Sequence, residues 1–288
     1  MVLLSLTLLL SANRLEQTAA QKGLRPQPGT RTIILKVVKT ETGGYMEPVV
    51  ILDGGRYREP IPADADRDRF NAAYYSPGQS YRMLAGGGEA GRATVLKPTS
   101  MGCQEWGSAD VRMQSTFNIE KALATNSGSL GRRRKLSRAP NNREREAALK
   151  VARTIFRQNR VPSSLIRGAA ADNLVATDLG NDGHAELVGN FRIGVSRDAG
   201  IPDYTLLLVL EPEGKAYRVA LARYYRIKDK YRQTGVQSED FLGQLDLDGD
   251  GTDELIVETQ YWEAWTYYIY KKQRGAWRRV YQGGGSGC

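Results

Sequence analysis

The densest group of potential ligands in the chain is Asp246-Leu247-Asp248-Gly249-Asp250-Gly251-Thr252-Asp253-Glu254, followed by Leu255-Ile256-Val257. Carboxylates at alternate positions repel one another unless a cation lies between them. A hard cation that takes many oxygen ligands, Ca²⁺, suits the arrangement. Asp246, Asp248 and Asp250 fill positions 1, 3 and 5, and Gly251 at position 6 permits the sharp turn that aims those oxygens inward. The Thr252 carbonyl offers a further ligand, and Glu254 at position 9 closes the cage. The competing reading is an acidic surface turn ahead of a strand, but such a turn needs neither three spaced Asp nor a closing Glu. An EF-hand is excluded, because it requires a bidentate Glu at position 12 and flanking helices. Position 12 is Val257, inside a β-type run.

The loop has an echo 68 positions upstream, Asp178-Leu179-Gly180-Asn181-Asp182-Gly183-His184-Ala185-Glu186-Leu187. Asp178, Asp182, Gly183, Glu186 and Leu187 match Asp246, Asp250, Gly251, Glu254 and Leu255 in register. Gly180 stands where the second loop has Asp248, so this is the weaker site, with Asp178, Asp182, His184 and Glu186 as its donors. Self-similarity of this kind is evidence of repeat architecture. Each half continues as a strand and then a hairpin, with turns at Pro212-Glu213-Gly214 and Gln273-Arg274-Gly275.

This spacing resembles the calcium loop of FG-GAP or VCBS-type repeats of integrin-alpha-like β-propellers. The match is carried by Asp246, Asp248, Asp250 and Gly251, with Glu254 where those repeats usually have Asp. The resemblance covers residues 170–282 and implies blade-like antiparallel sheets, each fed by an acidic loop. Two repeats cannot close a propeller, which needs at least about four blades.

Other chemistry is thinly signalled. Tyr261, Trp262, Trp265, Tyr267, Tyr268 and Tyr270 cluster beyond the second loop. Tyr267 and Ile269 alternate with Tyr268 and Tyr270 as in a strand buried on both faces, while Trp262 and Trp265 read as loop residues able to stack on a ligand such as a sugar. His184 is the single histidine, and nothing beside it suggests a catalytic triad. There is no HExxH motif, Ser286 lacks the second Gly of a GxSxG elbow, and Gly86-Gly87-Gly88 lacks the Gly-Lys-Ser/Thr of a phosphate loop. Paired carboxylates of a glycosidase need no local motif, so a carbohydrate-active hydrolase remains the enzymatic alternative.

These groups have to be positioned by a chain of 288 residues, long enough for two modest domains. Val2 to Leu10 is an apolar run of signal-peptide length, and Thr18-Ala19-Ala20 offers small residues for cleavage. Residues 1–20 are therefore expected to direct export to the periplasm or outside the cell, and no later run is long enough to span a bilayer. Cys103 and Cys288, the two cysteines, either pair in that compartment or remain separate thiols. Residues 31–115 read as a β-rich domain with a turn at Asp53-Gly54-Gly55 and a short helix over Asp66 to Tyr75. This region and the closing Gly-Gly-Gly-Ser-Gly-Cys look like exported bacterial proteins of the same layout, a resemblance that implies no activity.

Residues 116–140 read as a flexible basic linker containing Arg132-Arg133-Arg134-Lys135, and 141–160 as an amphipathic helix. Asn141 and Glu144 form its capping box. Ala148, Leu149, Ala152, Ile155 and Phe156 lie on one face, with Arg143, Glu146, Lys150, Arg153, Arg157 and Arg160 on the other. Eleven basic and two acidic residues fall between 132 and 160, so this segment carries the whole net charge of +9. A solvated face explains it most simply, and polyanion binding is the sharper alternative. Nucleic acid is not an expected partner, since no reading helix or stacking aromatics accompany the charge.

The expectation is thus a mainly β fold: an N-terminal β domain, a linker with one helix, and a two-repeat calcium-binding module. Its expected role is non-enzymatic scaffolding or interaction, with an extracellular or envelope polysaccharide or protein as partner.

Overall fold

The computed structural model describes residues 31–99, 107–115, 118–131, 137–195, 202–214, 216–227 and 235–287. Residues 1–20 (the expected signal peptide), Cys103, Cys288 and the run Arg132 to Lys135 lie outside them. The fold is mainly β, with three helices among the described residues, none long and apolar enough to cross a membrane.

The first unit is a barrel. Strands β1 (Thr32–Thr40), β2 (Gly43–Asp53), β4 (Ser80–Ala85), β5 (Gly88–Thr99), β6 (Ser108–Ser115) and β7 (Lys121–Thr125) pair antiparallel in the order β1-β7-β4-β5-β6-β2, and β2 returns to β1. Closure leaves no bare edge among the six. Strand β3 (Arg56–Arg58) adds to β2 through the turn at Gly54 and Gly55. Inward residues such as Ile33, Leu35, Val37, Met83 and Val111 form the core, joined by Phe70 and Tyr74 of helix α1 (Arg67–Tyr74).

Strand β7 corrects the expected linker. Lys-Ala-Leu-Ala-Thr has weak β-propensity and sits in polar sequence, yet Ala122, Leu123, Ala124 and Thr125 are all buried. Its pairings with β1 and β4 close the barrel, and tertiary demand overrides local preference. The β domain therefore runs past residue 115.

The second and third units are two sheets of matching design. One contains β9 (Val175–Thr177), β10 (Glu186–Val195), β11 (Pro202–Glu213) and β12 (Ala216–Arg226), with the short β8 (Ala170–Ala171) also on β10. The other is β13 (Ser238–Leu245), β14 (Glu254–Tyr261), β15 (Ala264–Gln273) and β16 (Ala276–Gly287). Leu187 pairs with Ala176 in the first, and Leu255 with Gln244 in the second. The 68-residue offset of the loops thus persists in the strand register.

These units stack. Ile256, Tyr267 and Ile269 of the β13–β16 sheet pack on the outer barrel residues Ile34, Val50, Leu84 and Leu123. Its opposite face, with Leu255, Val257, Tyr268 and Tyr270, packs on Val188, Leu207 and Val209 of the other sheet. The alternation read over Tyr267 to Tyr270 is this burial on two faces. Helix α2 (Asn142–Gln158) covers the far side of the β9–β12 sheet with Ala148, Ala152 and Phe156.

Candidate metal loops and the junction cleft

Each acidic loop joins two neighbouring antiparallel strands of its sheet, β9 to β10 and β13 to β14. In each, the Leu at position 2 turns inward: Leu179 into the sheet–sheet core and Leu247 into the barrel–sheet core. In each, the Glu at position 9 holds that leucine's backbone. Leu179 N donates to Glu186 Oε2 at 2.8 Å, and Leu247 N to Glu254 Oε2 at 2.7 Å. The longer Glu arm therefore has a local task besides any ligation. The loops also touch, through Asp253 N to Leu179 O at 2.8 Å.

In the second loop Asp246 accepts from Gly249 N at 2.8 Å and Gly251 N at 3.1 Å, while Asp250 accepts from Thr252 N at 2.8 Å. Gly251 has φ 95°, the left-handed conformation that the tight turn demands. Oxygens of Asp246, Asp248 and Glu254 lie within 4.8 Å of one another. Asp250 lies outside that closest group, and of Thr252 the described contact is its amide.

A cation already stands among these carboxylates. The Lys271 ammonium, reaching from β15, pairs with Asp248, with Asp250 at 2.7 Å and with Glu254 at 3.1 Å. Partial burial disfavours the charge on Lys271, but its bonds to the three carboxylates outweigh that and raise its pKa above the ordinary lysine value. Burial pushes Glu254 up to about 7, against the lowering pull of Leu247 N and Lys271. Nothing local in the sequence marks Lys271. The signal lay in the hairpin register: Tyr270 faces Leu255 as Leu210 faces Leu187, so Lys271 is matched by Glu211 in the first sheet.

In the first loop Asp178 accepts from Asp182 N at 3.0 Å and Gly183 N at 2.9 Å, and exposed His184 donates its amide to Asp182. Burial raises the pKa of Glu186. Glu211 is taken up by Arg218 and by Lys272 at 2.8 Å. No group of three donors as close as Asp246, Asp248 and Glu254 forms here among the described residues.

The aromatic expectation needs correction. Trp265 belongs to β15, not to a loop, and its Nε1 donates to Glu47 Oε1 at 3.2 Å across the barrel–sheet interface. Trp262 does lie in the β14–β15 turn, but it is half-buried.

A second constellation escaped sequence reading. Lys36 is buried on the outer barrel face with Glu47 at 2.7 Å and Glu258 at 2.6 Å, and Tyr267 also donates to Glu47. Two carboxylates share this one ammonium, and each takes a further side-chain hydrogen bond, Glu47 from Tyr267 and Glu258 from Gln260, which helps offset their burial. Next to it, a cleft of about 450 Å³ opens where the barrel and both sheets meet, lined by Lys121, Asp172, Arg192, Asp240 and Glu258 among others. Asp240 and Glu258 are cross-strand partners. Burial and the Glu258 charge raise the pKa of Asp240, against Ser238, Arg192 and Lys121. Lys36 in a run of apolar residues was the available sequence clue.

Comparison with protein-family models, with curated proteins and with solved structures found no match to this chain. The functional reading therefore rests on the geometry of the loops and the cleft.

Proposed function

We propose that the chain is an exported, non-enzymatic scaffold or interaction protein built on two FG-GAP-like repeats, the second of which is held by a cation-binding acidic loop. Ca²⁺ would take the place of the Lys271 ammonium in the loop 246–254. The observation that carries this reading is the convergence of Asp248, Asp250 and Glu254 on one positive charge, with Asp246 beside them. A pocket organised around an ammonium suits a divalent cation better still once the tethered one swings out. The blade-like reading is supported by the repeated plan of strand, acidic loop, strand and hairpin.

The mechanism is linkage: an ion that binds only the folded loop stabilises the strands it joins. Thermal melts of chelator-treated protein should shift upward by roughly 5–10 °C when Ca²⁺ reaches about a hundred times its Kd. Asp248→Ala and Asp250→Ala should each remove that rise. Lys271→Gln should tighten Ca²⁺ binding, since no ammonium has to leave. A melting temperature indifferent to Ca²⁺ in both wild type and Lys271→Gln would refute the metal reading.

One observation favours a second reading. The junction cleft presents two carboxyl groups away from the loops, Asp240 with its raised pKa and Glu258 paired with Lys36. A carboxyl group whose pKa is raised by its surroundings is a candidate general acid, and a carbohydrate-active hydrolase would place its substrate there.

A further inference from the structure

Three arginines converge on one cavity that shares no lining residue with the acidic loops. Arg153 and Arg157, one turn apart on α2, and Arg167, just beyond helix α3 (Ser163–Ile166), line a cavity of about 240 Å³ together with Ser163 and Ile166. The turn between the helices is fixed. Arg160 takes φ 59°, Val161 N donates to Phe156 O at 3.1 Å, and Val161 and Ile166 are buried in the core beneath α2. Arg167 is thereby carried back toward α2.

Among the described residues these guanidinium groups have no paired counter-charge: none of the three is bonded to a carboxylate, and Arg153 Nε is buried with no hydrogen-bond partner. Residues 137–167 hold eight basic side chains and two acidic ones. Of those two, Glu144 is occupied by Arg138 and by the Asn141 amide. A cation near the last turn of α2 offsets the helix dipole, but that accounts for one arginine, not for three around a common space. Like charges held together repel, and an anion between them removes that cost. Guanidinium forks match tetrahedral oxyanions through paired hydrogen bonds. The cavity is smaller than the range of about 300–1,000 Å³ that suits drug-sized ligands, so it fits one oxyanion group with a short appendage.

We infer that Arg153, Arg157 and Arg167, with Ser163, form a binding site for a phosphate-type oxyanion carried by a small soluble ligand. Inorganic phosphate titrated into the full-length chain by calorimetry at low salt, with glycerol phosphate in parallel, tests this. Both should give saturable one-site binding, weakened by about tenfold or more in Arg157→Gln and in Arg167→Gln, as expected for losing a charge-assisted bond. Arg157 and Arg167 are exposed, so unchanged melting temperatures should show that both variants fold. Arg143→Gln, on the same basic stripe but outside the cavity, should bind as wild type does. An equal loss in Arg143→Gln would reduce the site to a diffuse basic surface and overturn the inference. Absence of saturable phosphate binding by the wild type would also overturn it. Flotation with phosphatidylglycerol vesicles in the absence of soluble-phosphate binding would overturn the small-ligand assignment.

Discussion

Lys271 and Asp240 show two fates of a charge held partly away from water. Lys271 is bonded to three carboxylates and stays charged. Asp240 accepts from Ser238 Oγ at 3.0 Å and faces Glu258, itself claimed by Lys36, while Arg192 and Lys121 pull the other way. Its folded pKa is raised, so the folded state holds the proton more tightly than the unfolded chain does. The stabilisation this gives is complete below the unfolded value of about 4 and is lost as pH rises through the folded value. Asn at this position stays neutral throughout. Melting temperatures of Asp240→Asn minus wild type, measured between about pH 4 and pH 8, should therefore grow with pH; a flat or shrinking difference would contradict the assignment. At this scale the sequence revealed what adjacent spacing could reveal. Asp246, Asp248 and Glu254 do gather, because one tight turn brings them together. Lys271 and Asp240 reach their sites only through strand pairing, which residue spacing does not encode.

Elements with local signals were the most legible. Helix α2 begins where Asn141 and Glu144 exchange their capping bonds, Glu144 N to Asn141 Oδ1 at 3.0 Å and Asn141 N to Glu144 Oε2 at 2.8 Å. Both hairpin turns and the alternation of β15 were readable for the same reason. Strand β7 was not, because its identity depends on a gap in a barrel that only distant strands create. The C-terminus of α2 shows a local preference overruled. Arg160 N donates to Arg157 O at 3.0 Å and Val161 N to Phe156 O at 3.1 Å, the bond pair that usually closes over a glycine. Arg160 occupies the left-handed position with φ 59°, where a side chain costs about 1–2 kcal/mol. Replacing it with Gly removes that cost but enlarges the unfolded ensemble, for a net gain of about 0.5–1 kcal/mol. Arg160→Gly should thus raise the melting temperature by roughly 1–4 °C in a calorimetric scan. A fall would mean that the Arg160 side chain makes contacts worth more than the strain.

The whole molecule is a stack with a cap at each end. Repeat units bury their faces on neighbours and need terminal elements with a polar outer side; here the barrel covers one end and α2 the other. Expected as separate from the repeats, the barrel instead shares a core with them, because the β13–β16 sheet is buried on both faces. Buried carboxylates mark both interfaces: Glu47 and Glu258 around Lys36 against the barrel, and Glu239 with Tyr270 at 2.8 Å and Arg223 at 3.1 Å between the sheets. The closing glycine run, read from sequence only as a shared layout, has a physical cause in this junction. Gly284 has φ 60°, its amide donates to Glu59 Oε1 at 2.8 Å, and a Cβ there would stand 2.8 Å from the carbonyl oxygens of both Pro48 and Val49 on β2. At this position the last strand can approach β2 only without a side chain. Gly275, in the β15–β16 turn, has a similar φ of 78° but open space around it. Gly275→Ala should therefore cost only the left-handed strain, about 1 kcal/mol, whereas Gly284→Ala adds a clash with backbone that cannot rotate away, for a total of at least about 2–3 kcal/mol. Calorimetric scans should show one cooperative transition for both variants, displaced clearly further downward in Gly284→Ala. Equal displacements would mean that the barrel and the last sheet yield to each other freely, and a resolved second transition would mean that they fold apart.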